Sequence, residues 1–303
     1  LWETSGHWQH FKEDMFILNM DNSEAALKPM NCPSHVLIFK NKIRSYRDLP
    51  LRIADFCVLH RNELRGVLGG LTRVRKFSQD DAHIFVTEEQ LEKEILDLMD
   101  FVDYVYKKVF NFNYIVNLST KPEKAMGDPK LWDKAEESLR KALNKKKIKF
   151  NIKEGEGAFY GPKIDFDIKD SLDRSWQLAT IQLDFQMPLN FKATYEGKDG
   201  NKHTPIMIHR AILGSLERFI AILIEHYAGN FPLWLSPVQV KILTLTDRNK
   251  EFAEKVFNQI KEKDIRIELD DRSESIGKKV RDAQLEKIPL TITIGDKEQE
   301  NKT

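Results

Sequence analysis

The chain has 303 residues, 41% of them hydrophobic, enough for a sizeable core and about two domains. Its 48 Lys+Arg balance 47 Asp+Glu to a net charge of +1, so any nucleic-acid contact must rest on local patches rather than bulk charge. Two cysteines, Cys32 and Cys57, exclude a disulfide framework and suit a reducing, cytoplasmic setting; no apolar run approaches the ~18 residues of a membrane span, and no secretory signal opens the chain. Without an initiator Met, the sequence reads as a fragment.

Near the start, Trp2, Trp8 and Phe11 read as packing aromatics, and His7 and His10 as surface residues. Pro29 and Pro33 exclude a helix through Lys28 to Asn31. Cys32-x-x-His35 has the spacing of half a zinc site with no second half nearby, a pattern that is usually coincidence. Residues 51–59 predict a strand ending on a charged corner, His60 to Glu63. Gly66, Gly69 and Gly70 punctuate a loop, and residues 71–86 predict an antiparallel return strand. Arg61, Glu63, Arg73 and Phe77 then face one another across a hairpin. That set can hold a nucleotide, with guanidinium on phosphate, ring on base and carboxylate on an exocyclic amine. A charged solvent face is the plainer alternative.

Residues 87–110 predict a helix, with a Thr87/Gln90 capping box and an apolar stripe at Leu91, Ile95, Leu98, Val102, Val105 and Val109. A strand at 112–119 and a helix from Asp128 to Lys145 follow, the latter ending in a solvated lysine run. Residues 148–153, 158–170 and 175–187 read as consecutive antiparallel strands. In the middle one, Ile164, Phe166 and Ile168 alternate with Asp165, Asp167 and Lys169, which predicts one buried face. His209 to Ser215 is expected to open a helix through Tyr227, with Gly229 as C-cap. After a Pro-bounded linker at 231–237, the pattern strand, helix, strand, helix, strand predicts a small α/β unit with a parallel sheet. There is no Walker loop and no G-x-G-x-x-G.

Arg-x-Glu at 61–63, a glycine-bearing loop, then Arg73 and Phe77 resemble motif 2 of the class II aminoacyl-tRNA synthetases. Gln79-Asp80-Asp81-Ala82-His83 narrows the resemblance to the threonyl-tRNA synthetases. The resemblance implies an α+β fold: an antiparallel sheet flanked by helices over residues 1–235, and an α/β anticodon-binding domain over 236–303 that stops early. It also implies a threonine–tRNA ligase that uses ATP with Mg2+ and one Zn2+ per chain.

By position, Arg61 would hold the amino-acid carboxylate and the α-phosphate, and Arg73 would meet the γ-phosphate. Glu63 would accept from the adenine amine. Phe77 would stack on one adenine face, and Arg218, in a motif-3-like helix, on the other; Arg61 and Arg218 would be the catalytic pair. Lys163, Gln177 and Ser215 resemble further ATP contacts. Met30, Gln79, Asp81, Tyr160 and Gln182 would meet threonine. Cys32, His83 and His209 would bind the zinc, leaving His35 and His60 outside the site. Arg65 and Glu298 resemble tRNA-contacting positions.

Partners expected from the resemblance are threonine, ATP and tRNA(Thr), with a homodimer in the intact protein built on a motif 1 lying upstream. The family clears mischarged serine with an upstream editing domain, so this fragment should mischarge serine. Ser34, Arg65, Cys57 and Leu178 depart from the family pattern. Ser34 replaces a turn glycine, and none of the four is expected at the zinc or arginine positions. The alternatives are another class II synthetase such as prolyl, a catalytically silent synthetase-like RNA-binding module, and a structural zinc protein.

Overall fold

The computed structural model describes residues 1–302. Two compact units, Leu1–Ile222 and Leu223–Thr303, divide the chain.

In the first unit, a short helix α1 (His7–His10) precedes a hairpin of β1 (Ile17–Met20) and β2 (Ser23–Ala26). Helix α2 (Cys32–Lys40) has Asn31 as N-cap and Pro33 in its first turn, where a missing N–H costs nothing. Two strands, β3 (Leu51–Asp55) and β4 (Val58–His60), replace the single strand expected at 51–59; both pair antiparallel with β5 (Lys76–Val86). β5 begins at Lys76 because Leu71 to Arg75 stay in a turn closed by Thr72 Oγ1 donating to Gly69 O at 2.6 Å.

Helix α3 (Glu88–Asp103) ends in a π-helical turn, Tyr104–Val109, that places the Tyr106 hydroxyl 2.6 Å from Ile212 O. The expected capping box is seen in Gln90 Oε1, which accepts from the Thr87 N–H at 3.0 Å; Thr87 Oγ1 has no closer hydrogen-bond partner among the described residues. Then come β6 (Tyr114–Ser119), α4 (Pro129–Lys145), β7 (Phe150–Lys153), β8 (Lys163–Lys169), β9 (Ser175–Asp184), α5 (Gln186–Asn190), β10 (Tyr195–Glu196), β11 (Lys202–His203), β12 (Ile206–Ser215) and α6 (Leu216–His226).

The main sheet has the order β3-β5-β12-β9-β8-β6-β7, with β4 also on β5. Three expectations need correction. First, β7 does not pair with β8. It lies parallel to β6, because α4 supplies the long crossover a parallel pair needs. Second, residues 206–215 are a central strand rather than a helix start. Pairing on both edges, to β5 and to β9, overrides the local helical pattern, and the helix begins at Leu216. Third, β8 is buried on both faces, Asp165 and Asp167 included, because neighbouring strands supply hydrogen-bond donors to both carboxylates. His7 is likewise fully buried rather than on the surface.

One core cluster joins Val36 and Phe39 of α2 to Phe85, Met187, Phe191 and Met207, so α2 is anchored over the centre of the sheet. That anchoring fixes Cys32.

The second unit contains β13 (Val240–Thr244), α7 (Lys250–Lys261), β14 (Ile267–Asp270), α8 (Ile276–Leu285), β15 (Leu290–Ile294) and α9 (Asp296–Asn301). Its sheet is parallel, in the order β14-β13-β15, as the sequence pattern predicts. Ile242, Ala253 and Ile294 centre its core. The residues after Gly295 form α9. Among the described residues, no helix is long and apolar enough to cross a membrane.

Candidate active site and metal centre

His83 and His209 are register partners on β5 and β12, so their side chains rise from the same face of adjacent strands. Cys32 reaches them from the first turn of α2. The donor atoms of the three residues all lie within 4.8 Å of one another.

His83 Nε2 sits 2.9 Å from His209 Nδ1. The outer nitrogens are also engaged. His83 Nδ1 is 2.7 Å from His35 Nδ1, and His209 Nε2 is 3.0 Å from Asp184 Oδ2. Asp184 is itself fixed, because its Oδ1 accepts from the N–H groups of Gln186 and Met187 at 2.8 Å each. Burial, then the neighbouring His209 and His35, hold His83 well below the usual imidazole range. Burial, with Asp81 and Asp184 adding to it, pushes the Cys32 thiol well up.

This donor set fits zinc. A neutral imidazole is the ligand form, a nearby cation favours the thiolate, and three protein ligands leave coordination positions open. Holding the outer histidine nitrogens with an imidazole and a carboxylate is how ligand rings are aimed at a metal.

The arginines lie along the same depression. Arg61, just past β4, has its guanidinium 5.1 Å from the centre of the Phe77 ring. Glu63 Oε2 accepts from Arg73 Nε at 3.0 Å. Arg218, in the first turn of α6, donates from Nε to Thr72 O at 2.7 Å and from Nη1 to Gln177 O at 3.1 Å, and its guanidinium lies over Trp176 at 5.3 Å. Burial lowers its pKa, and Arg73 adds to that.

Arg218 is aimed by a bulge in β12. The register on β5 shifts between Ala211 and Ser215, and the Asp80 carboxylate accepts from the N–H groups of Ile212, Leu213 and Gly214 at 2.9, 2.9 and 3.0 Å. Gly214 has φ +75° and a Cβ there would meet Leu178 O at 2.7 Å, so glycine is required.

At the other end, Asp81 Oδ2 accepts from Asn31 Nδ2 at 3.0 Å, and burial raises the pKa of the Asp81 carboxyl. The Tyr160 ring stacks on His209 at 4.8 Å. Met30 Sδ is 3.0 Å from His7 Nε2, and Gln182 Nε2 donates to Gly161 O at 3.2 Å.

Every residue named from the sequence for zinc, ATP or threonine lines one cavity of about 360 Å³. Arg65 and Glu298 do not line it. Arg65 opens an exposed 3-10 turn, and Glu298 Oε2 accepts from the Gly295 N–H at 2.9 Å in the second unit.

Sequence reasoning missed Asn31, Asp80 and Asp184; it set His35 outside the donor set, where the structure also leaves it, but did not foresee its bond to His83. Asn31 and His35 stand beside Cys32, so proximity was a usable signal; nothing in the spacing marks Asp184. Two departures also reach the site: Leu178 lines the cavity, and the Cys57 thiol donates to Asn31 Oδ1 at 2.8 Å. Ser34 is not strained, because it lies within α2 and has no positive φ.

Residues 16–227 match the family described as tRNA synthetase class II core domain (G, H, P, S and T), and residues 239–303 match the anticodon binding domain. The RNA binding domain of threonyl-tRNA synthetase from Cryptosporidium parvum Iowa II superposes with a TM-score of 0.95 at 44% identity, covering 99% of this chain and 76% of that one. The chain belongs to the threonyl-tRNA synthetase family of class II.

Among threonyl-tRNA synthetase relatives, the threonine–tRNA ligase of Acetivibrio thermocellus is 56% identical over all of this chain and 48% of its own length. That of Clostridium tetani is 55% identical over 100% of this chain and 47% of its own. The chain therefore spans about half the length of the curated relatives it matches. A prolyl-tRNA synthetase from Giardia lamblia, at 19% identity and a TM-score of 0.69 over 98% of this chain and 57% of that one, shares the fold alone.

Proposed function

We propose that this chain carries the catalytic core of a threonine–tRNA ligase over residues 1–235 and most of an anticodon-binding domain over 236–303. Threonine and ATP react to threonyl-adenylate and pyrophosphate, and the threonyl group passes to the 3′ end of tRNA(Thr). The intact protein is a cytoplasmic homodimer on this reading. The single observation that supports it best is the Cys32, His83 and His209 cluster opening into the same cavity as Arg61, Arg73 and Arg218.

Arg61 neutralises the carboxylate and the α-phosphate as the two approach, stabilising charge that builds on phosphorus. Arg73 binds the γ-phosphate with Mg2+, Glu63 reads the adenine amine, and Phe77 and Arg218 hold the ring. Lys163, Gln177 and Ser215 flank the nucleotide, and Met30, Gln79, Tyr160 and Gln182 surround the amino acid. Zinc on Cys32, His83 and His209 would supply open Lewis-acid positions for an amine and a hydroxyl. Asp81 accepts from that hydroxyl, with Asn31 fixing its orientation. Valine offers no hydroxyl and leaves these polar groups unpaired, a difference worth ~10⁴-fold or more. A prolyl enzyme would have no use for this donor set.

The deciding experiment is ATP–pyrophosphate exchange with threonine, serine and valine in parallel, with zinc measured on the same sample. Threonine-dependent exchange with zinc near one per chain is expected. No exchange with any of them, from a folded chain, would leave the silent RNA-binding module.

A further inference from the structure

We propose that Asp165, which does not line the cavity, is the positioning residue that sets its nucleotide-facing wall. This rests on the reading that ATP occupies the cavity.

Asp165 is 1% exposed on β8, and its two oxygens gather four donors. Oδ2 accepts from Ser119 Oγ at 2.8 Å and from the Lys163 ammonium. Oδ1 accepts from Gln177 Nε2 at 2.7 Å and from Thr180 Oγ1 at 3.2 Å. Lys163, Gln177 and Thr180 all line the cavity; Ser119 and Asp165 do not.

The backbone explains the convergence. Lys163 and Asp165, two apart on one strand, share a face, and Thr180 is the register partner of Asp165 on β9. Strict alternation would send Gln177 to the opposite face from Thr180. The register shifts between Phe166 and Asp167, leaving Leu178 as the extra residue, and the bulge returns Gln177 to the face of Thr180. One carboxylate thus holds three otherwise mobile side chains, including a lysine with a four-carbon stem. The ion pair with Lys163 offsets the cost of burying the carboxylate, and it keeps that ammonium at one place on the wall. An incoming polyphosphate meets a preset cation and amide instead of ordering them itself.

The test is Asp165→Asn, close in shape, measured by calorimetric binding of ATP with Mg2+ alongside threonine KM and zinc content. ATP affinity is expected to fall about tenfold, the scale of losing one hydrogen bond to a charged group. Threonine KM and zinc should not move. Because Asp165 acts through the side chains it holds, adding D165N to the double variant K163A/Q177A should change ATP affinity by no more than about twofold.

Wild-type ATP affinity in a folded D165N, full additivity of D165N with K163A/Q177A, or equal losses for ATP, threonine and zinc would each overturn the proposal. Should D165N fail to fold, Ser119→Ala removes only the bond from outside the cavity. About a threefold loss of ATP affinity is then expected, and no loss would overturn the idea. A chain that binds ATP but shows no threonine-dependent exchange sinks the ligase reading while the D165N comparison still decides this one. A wild-type chain that binds no ATP overturns both.

Discussion

His83 Nε2 lies 2.9 Å from Nδ1 of His209, a residue 126 positions further along the chain. With the Cys32 thiol, these two buried imidazoles place three donor atoms within 4.8 Å of one another, a group that could hold a metal ion. Removing zinc with a chelator is expected to abolish threonine binding and leave the fold intact, because the apolar packing of Val36, Phe39, Phe85, Met187, Phe191 and Met207 that holds α2 on the sheet needs no metal. His83→Ala should contain well under one zinc per chain while still binding ATP. Unfolding on chelation, followed by circular dichroism, would point to a structural metal.

His35 bonds His83 without lining the cavity. His35→Ala is expected to weaken zinc about 10–100-fold, as loss of a group orienting a ligand ring does. A competitive titration against a chromogenic chelator reads this directly, and an unchanged zinc affinity would remove His35 from the metal centre.

Serine carries the hydroxyl that Asp81 and the metal would read, and lacks one methyl. A hydrophobic difference that small gives roughly 10–200-fold discrimination. Exchange assays should therefore rank threonine over serine by that margin and over valine by far more. A charging assay in which this chain rejects serine strongly would contradict the prediction.

Asp80 accepts from three consecutive backbone N–H groups at the β12 bulge. Asp80→Leu leaves those donors unpaired in a buried place and should destabilise the first unit by about 1–3 kcal/mol per lost partner. Thermal unfolding measures the loss, and an unchanged Tm would show that the bulge stands without its carboxylate.

Burial, with His209 and Arg61 adding to it, holds His7 down at about 3 against its ordinary 6.5. As pH falls through 6.5, the unfolded chain takes up a proton that the folded chain refuses. Stability is thus lost progressively from pH 6.5 down to about 3. In metal-free protein, His7→Gln should flatten the slope of Tm against pH in that window. An identical slope would mean that His7 is not held neutral.

The order of residue types alone determined a good deal here. Arg61, Glu63, Arg73 and Phe77 occur in a fixed sequence because a hairpin brings near neighbours together, so a local pattern suffices to mark them. The parallel sheet of the second unit was legible for the same reason, since each crossover helix is written between its two strands.

Tertiary structure decided the rest. Cys32, His83 and His209 become one cluster only because β5 and β12 pair in one register and α2 is anchored above them. Periodicity carries no information about which distant strands are neighbours. It also misread residues 209–215, where two flanking strands impose an extended backbone on a segment expected to open a helix. Asp184 and Asp165 read as ordinary strand carboxylates until the sheet closes around them. Their roles come from the donors that neighbouring strands and helices bring to two buried oxygens, and those donors lie far apart along the chain.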